Sequence, residues 1–177
     1  MVEYRVYAAT AFSEIPSEVC WMALIVLFVS VVIFLLWKGL RTGGLYISRL
    51  FLAEWLMLVL GITVIFRDSG AERRIDLLPL SSYFDIPENS YLKEVVAINI
   101  LNVVLFVPIG FMLGCGFRRM IWKDVLLFGC GVSVFIELLQ LTFKRGLCET
   151  DDVIHNVIGC MIGYFIYRLS SRLLRNV

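Results

Sequence analysis

The amino-acid sequence predicts an all-α membrane protein, a bundle of about five transmembrane helices. Three observations carry that expectation. Of the 177 residues, 60% are hydrophobic and 18% charged, and the mean hydropathy is +0.86. A soluble domain runs at roughly 45–50% apolar and about 25% charged, so this chain would leave large sticky patches in water. The apolar residues also form continuous runs rather than alternating, which selects helices over a β-barrel. Finally, the longest connection, residues 67–94, is too short to hold a soluble core of its own.

The first run, Val19–Trp37, carries no charge and would span about 28 Å as a helix, close to the hydrocarbon thickness. Trp21 and Trp37 bracket it as interfacial anchors. Its length, and the Lys38 and Arg41 behind it, distinguish it from a signal peptide, whose charge lies in front. The second run, about Leu50–Phe66, holds Glu54, expected to pair with Arg49 or to snorkel. The third, Val95–Phe117, contains Asn99, Asn102 and Pro108, and the fourth, Val125–Phe143, contains Ser133, Glu137 and Gln140. The fifth, Val153–Leu169, is the least apolar, with His155, Asn156 and several glycines. The chain thus divides into an N-terminal segment with the first span (1–49), a four-span domain including the 67–94 connection (50–170), and a basic tail (171–177).

Lysine and arginine set the orientation. With the N-terminus outside and the C-terminus cytoplasmic, nine basic residues fall inside and seven outside. The tight Arg118–Arg119…Lys123 hairpin and the basic tail decide it, because short loops obey the positive-inside rule best. A net charge of +1 excludes a nucleic-acid partner held by bulk field. Four of the five cysteines (Cys20, Cys115, Cys130 and Cys160) sit in apolar runs as small hydrophobes, while Cys148 lies in a polar connection as the expected external thiol. With no CxxC and no zinc-spaced Cys/His pair, neither a disulfide framework nor a metal or other cofactor is expected.

That orientation gathers the polar residues of the spans in the outer leaflet. Asn99 and Asn102 lie in the first turns of the descending third span, Glu137 and Gln140 near the top of the ascending fourth. Asp151 and Asp152 stand at the mouth of the fifth, with His155 and Asn156 just inside. Ser133, Glu137 and Gln140 (i, i+4, i+7) share one helix face, and Asn99, Asn102 and Phe106 another. Asp152, Asn156, Gly159 and Gly163 form a third stripe, and it and Gly110/Gly114 carry the small-xxx-small signal of closely approaching helices, within one chain or between two copies. Amides and hydroxyls in such places often only bond neighbouring helices, and paired aspartates at a helix start also suit its dipole. The lone His155 reads as a satisfied helix-mouth residue rather than a metal ligand. An intramembrane glutamate costs several kcal/mol unless paired or wetted and marks a functional site by default; Arg145, Arg73 and Arg74 are the expected partners of Glu137.

Four strings in order resemble the VanZ-like family over about residues 50–170. They are Arg74-Ile75-Asp76-Leu77-Leu78-Pro79-Leu80; Asn99 through Val107-Pro108-Ile109-Gly110; Ser133-x3-Glu137-x2-Gln140; and Arg145 leading into Glu149-x-Asp151-Asp152-x3-Asn156-x2-Gly159-x3-Gly163. Asp76 stands where relatives often carry Asn, and the Arg145–Glu149 interval varies in the family. The resemblance implies a small multi-helix protein of the bacterial plasma membrane. The family's founding member is associated with reduced susceptibility to the glycopeptide teicoplanin, without change to the peptidoglycan precursor's terminal dipeptide.

The expected activity is binding or shielding of an amphiphile at an outer-leaflet cleft. Its lining is Arg73, Arg74, Asp76, Asn99, Asn102, Glu137, Gln140, Arg145, Glu149, Asp151, Asp152 and Asn156. Arginines suit phosphate or carboxylate, and carboxylates suit amines, sugar hydroxyls or a bridging divalent ion, so a lipid-linked envelope precursor or a lipoglycopeptide fits, alongside ordinary membrane lipids. An enzyme using Glu137 or Asp152 as general acid or base is an alternative, with only one His and no nucleophile–base arrangement in its favour. Transport is the third, set against by the absence of an inverted repeat and of polar residues in the inner half beyond Glu54.

Overall fold

The computed structural model describes residues 43–67, 74–84 and 89–173; the expected first span, Arg73 and residues 174–177 of the tail lie outside them. Four described helices are long and apolar enough to cross a membrane. Helix α1 is Gly43–Leu60 and closes in a wider π turn, Gly61–Ile65, where the Phe66 amide reaches back five residues to the Gly61 carbonyl (2.9 Å). A short strand β1, Arg74–Asp76, and a single turn α2, Ser81–Phe84, follow. Then come α3, Asn89–Gly116, and α4, Trp122–Phe143, with strand β2, Leu147–Glu149, leading into α5, Thr150–Leu173.

The second expected span therefore starts at Gly43 rather than near Leu50, and the fifth extends at both ends. Thr150, Asp151 and Asp152 are helical because acidic side chains are favourable in a first turn. One departure from an all-α fold appears. β1 and β2 pair in parallel, Arg74 with Leu147, Ile75 with Cys148 and Asp76 with Glu149.

Side-chain contacts give the directions of the helices. The Trp55 indole donates to the Leu105 carbonyl (2.8 Å) and Arg49 Nε to the Gly116 carbonyl (3.0 Å), so α1 and α3 are antiparallel. Along α4 and α5, Ser133 meets Asn156, Gly129 meets Cys160, and the Tyr164 hydroxyl donates to the Met120 carbonyl (3.0 Å), again antiparallel. Helices α3 and α5 run parallel, Asn102 meeting Asp152 and Val107 meeting Gly163, and their contact is the tightest among the described helices. A Cβ added to Gly159 would stand 2.1 Å from the Val103 carbonyl oxygen, one at Gly163 1.9 Å from that of Val107, and one at Gly110 1.7 Å from that of Cys160. Only glycine admits backbones this close. Both small-residue stripes thus pack against each other's helices within one chain.

The core runs through this seam, with Trp55, Val59, Phe106, Ile109, Leu113, Val125, Ile136 and Tyr164 buried. Outward, Met57, Leu127, Phe135, Leu138, Phe165 and Leu169 are exposed, as a lipid-facing surface requires. Helix α4 starts where Asp124 accepts the Ile121 amide (2.9 Å) and ends at Lys144, in the left-handed conformation (φ 57°). Gly146 follows at φ 139°, a value side-chain-bearing residues rarely adopt, and turns the chain into β2.

Candidate functional site

The polar residues of the spans converge at one end of the bundle, where α3 and α5 begin and α4 ends. Ser133, Glu137 and Gln140 all lie buried on one face of α4, as their spacing implies, yet each bonds a different element. The Ser133 hydroxyl accepts from Asn156 Nδ2 of α5 (2.9 Å). Glu137 Oε2 accepts the backbone amide of Glu149 in β2 (3.0 Å) and also bonds the Cys148 thiol. Gln140 Nε2 donates to the Thr63 carbonyl of the π turn (3.0 Å). A single stripe thereby ties α4 to three neighbours.

Arg145 is not the partner of Glu137. Its Nη1 donates to the carbonyls of Val64 (2.9 Å) and Ile65. A helix leaves its last carbonyls without intrahelical partners, and a cation there also suits the dipole. Since α1 ends against protein, Gln140 and Arg145 together satisfy that end. Arg73 lies outside the described residues, and so does the side chain of Arg74. Among the described residues Arg67 is a cation that acts electrostatically on both Glu137 and Asp152; it packs on Gly146, 2.8 Å from where a Cβ would sit. The available signal was its position, the first basic residue past the α1 span at the end where the carboxylates gather.

Asp152, half-buried, accepts from Asn102 Nδ2 (2.7 Å), joining α5 to α3. Asp151 is fully buried and accepts the Leu80 backbone amide. Leu80 holds φ 62°, a left-handed conformation costly to a side-chain-bearing residue, so this bond stabilises a strained turn. Asp76 shapes the same connection, accepting the Leu78 amide (3.1 Å) and the Ser81 hydroxyl (2.8 Å). His155 Nδ1 donates to the Asp151 carbonyl (2.6 Å), and Nε2 bonds the Tyr83 hydroxyl (2.9 Å). Tyr83 and the π-turn carbonyls were invisible to motif reasoning, and Leu80, though it ends the first of the four strings, contributes a backbone amide that no side-chain pattern marks.

Two buried polar atoms stand apart from this network. Asn99 Nδ2, one turn before Asn102, and Gln140 Oε1 have no hydrogen-bond partner among the described residues. Buried polar atoms are almost always paired, since an unpaired one costs about 1–3 kcal/mol. Cys148, expected as an accessible thiol, is half-buried on β2 beside Ile75. Burial, and then the carboxylates of Glu137, Asp152 and Glu149, push its pKa above the ordinary 9.0. Among the described residues no three His, Cys, Asp or Glu side chains converge to hold a metal ion.

These features define a multi-span helical membrane protein with a buried polar network at one end of its bundle. The sequence matches the VanZ/LLP1 family over residues 18–171, and the chain belongs to that family. It is 31% identical over 71 residues to protein VanZ of Enterococcus faecium, a match covering 40% of this chain and 44% of that protein. The shared region therefore spans less than half of either protein. No solved structure matches.

Proposed function

We propose that this chain binds the polar head of an amphiphilic envelope molecule at the polar end of the bundle, and shields it. In this reading that end faces outward from the bacterial plasma membrane, and the acyl tail lies along the apolar outer faces of the helices. The observation that carries the reading is that two buried atoms, Asn99 Nδ2 and Gln140 Oε1, lack a partner among the described residues at the end of the bundle that also buries Glu137 and Asp151. One is a donor and the other an acceptor, a combination suited to hydroxyl and amide groups on a sugar or peptide head. Glu137, Asp152 and Arg67 add carboxyl and guanidinium groups within the same region. Much of the remaining set, including Asp76, Asp151, Arg145 and Asn156, is engaged in bonds that hold the region in shape. These residues support the site rather than line it.

The candidate ligands are a lipid-linked precursor and a lipoglycopeptide such as teicoplanin. Similarity to protein VanZ favours testing the second first. The check is teicoplanin susceptibility of a sensitive strain carrying wild-type protein or Glu137→Ala at equal expression. Protection by wild type and its loss in the variant is the expected result; equal protection by both removes Glu137 from the mechanism.

A further inference from the structure

At the opposite end of the bundle, where α1 begins and the α3–α4 hairpin turns, a cavity of about 470 Å³ opens between the helix ends. Among its lining residues are Leu45, Arg49, Phe117, Arg118, Arg119 and Asp124. We propose that it is a binding site for the phosphate of an anionic membrane lipid.

Charge comes first. Three guanidiniums face one carboxylate, and Asp124 already accepts the Ile121 amide (2.9 Å). Arg49 is held in place rather than waving in solvent. Its guanidinium lies 4.7 Å over the Phe117 ring and 5.8 Å from that of Tyr46, while Nε donates to the Gly116 carbonyl (3.0 Å). That bond leaves both Nη groups without a hydrogen-bond partner among the described residues. Glu54, expected to pair with Arg49 or to snorkel, is exposed. A fixed guanidinium with an unused edge matches the paired oxygens of a phosphate diester.

Location selects the lipid over a free anion. The cavity sits where three spans end, so it lies at a membrane–water boundary, where lipid phosphates reside. Leu45 and Phe117 give it an apolar wall, while Ile121 and Trp122 are exposed just beyond its rim. Lys123 stands over the Trp122 ring (5.6 Å) and adds a further positive charge. A basic pocket between span ends is the arrangement by which lipid head groups are held at specific places on membrane proteins.

Native mass spectrometry of the full chain in detergent, titrated with phosphatidylglycerol, phosphatidylcholine or inorganic phosphate, tests this. Phosphatidylglycerol is expected to bind about tenfold more tightly than phosphatidylcholine, and Arg118→Gln/Arg119→Gln to abolish the difference. Arg168→Gln/Arg172→Gln, the same charge loss at the same end of the bundle but outside the cavity, leaves the preference intact. Both arginines of the first pair are exposed on a turn, and Arg119→Gln alone gives the same reading with a smaller effect should the pair not fold. Equal binding of the two lipids, or a preference that survives the cavity substitutions, overturns the proposal. Displacement of phosphatidylglycerol by inorganic phosphate at matched concentration overturns the lipid as occupant and leaves a soluble-anion site.

Discussion

The bundle is held by two seams of opposite character. Between α3 and α5 the contact is made of shape, with glycines letting backbone lie on backbone. Along the inward face of α4 the contact is made of hydrogen bonds, to α5, to β2 and to the π turn that ends α1. Lipid tails are as apolar as leucine, so close packing and polar bonding are the two means by which membrane helices choose neighbours. The seams divide that labour, and the difference teaches where to seek function. A glycine seam has nothing to offer a ligand. The polar seam holds the Glu137 carboxyl and leaves Gln140 Oε1 without a partner among the described residues, as Asn99 Nδ2 is on α3.

The comparison breaks most sharply at glycine. Gly163→Ala places a methyl group 1.9 Å from the Val107 carbonyl oxygen and is expected to cost about 3 kcal/mol or more. Gly131→Ala on α4, with nothing within 4 Å, should be neutral. Thermal unfolding in detergent distinguishes them, and equal midpoints would show that α3 and α5 do not meet as described. Next in size is Asp151→Ala, which strips the Leu80 amide of its acceptor in a strained turn. We expect a loss of about 2 kcal/mol and faster hydrogen exchange at Leu80, with the helices otherwise protected.

Arg145→Met leaves the carbonyls of Val64 and Ile65 without that donor. A loss of about 1–2 kcal/mol is expected, against none if the arginine merely met solvent. Asn99→Leu runs the other way. It removes an unpaired buried donor at similar volume, so stability should hold or rise by about 1 kcal/mol while ligand binding falls. A destabilised Asn99→Leu protein would mark the amide as structural. The smallest effect concerns Cys148. A pKa above 9.0 means that the thiol keeps its proton at neutral pH. Maleimide labelling should therefore be slow at pH 7 and climb about tenfold per pH unit, and Glu137→Gln, by removing a charge that raises this pKa, should speed it.

Four of the five expected spans and the convergence of their polar residues were legible in the sequence, because apolar runs and helical periodicity are local signals; the first span lies outside the described residues. Ser133, Glu137 and Gln140 fall on one buried face for that reason alone. Their partners were not legible. Glu137 to Arg145 looked natural by charge, yet the arginine lies past a left-handed helix cap that turns the chain toward the α1 terminus. The parallel β-pair joins residues 73 positions apart, and three-residue strands carry no periodicity to announce them. Nor could a side-chain motif reveal that the carbonyls of Thr63, Val64, Ile65 and Asp151 and the amides of Leu78, Leu80 and Glu149 would serve as partners.

The central claim is that the polar seam holds an amphiphile's head. Mass spectrometry of amphiphiles co-purified with the full chain from its membrane addresses it most directly, comparing wild type with Asn99→Leu and Glu137→Gln at matched thermal stability. The account predicts a species with a polar head retained by wild type and lost from both variants. The same complement of lipids on all three proteins would contradict it.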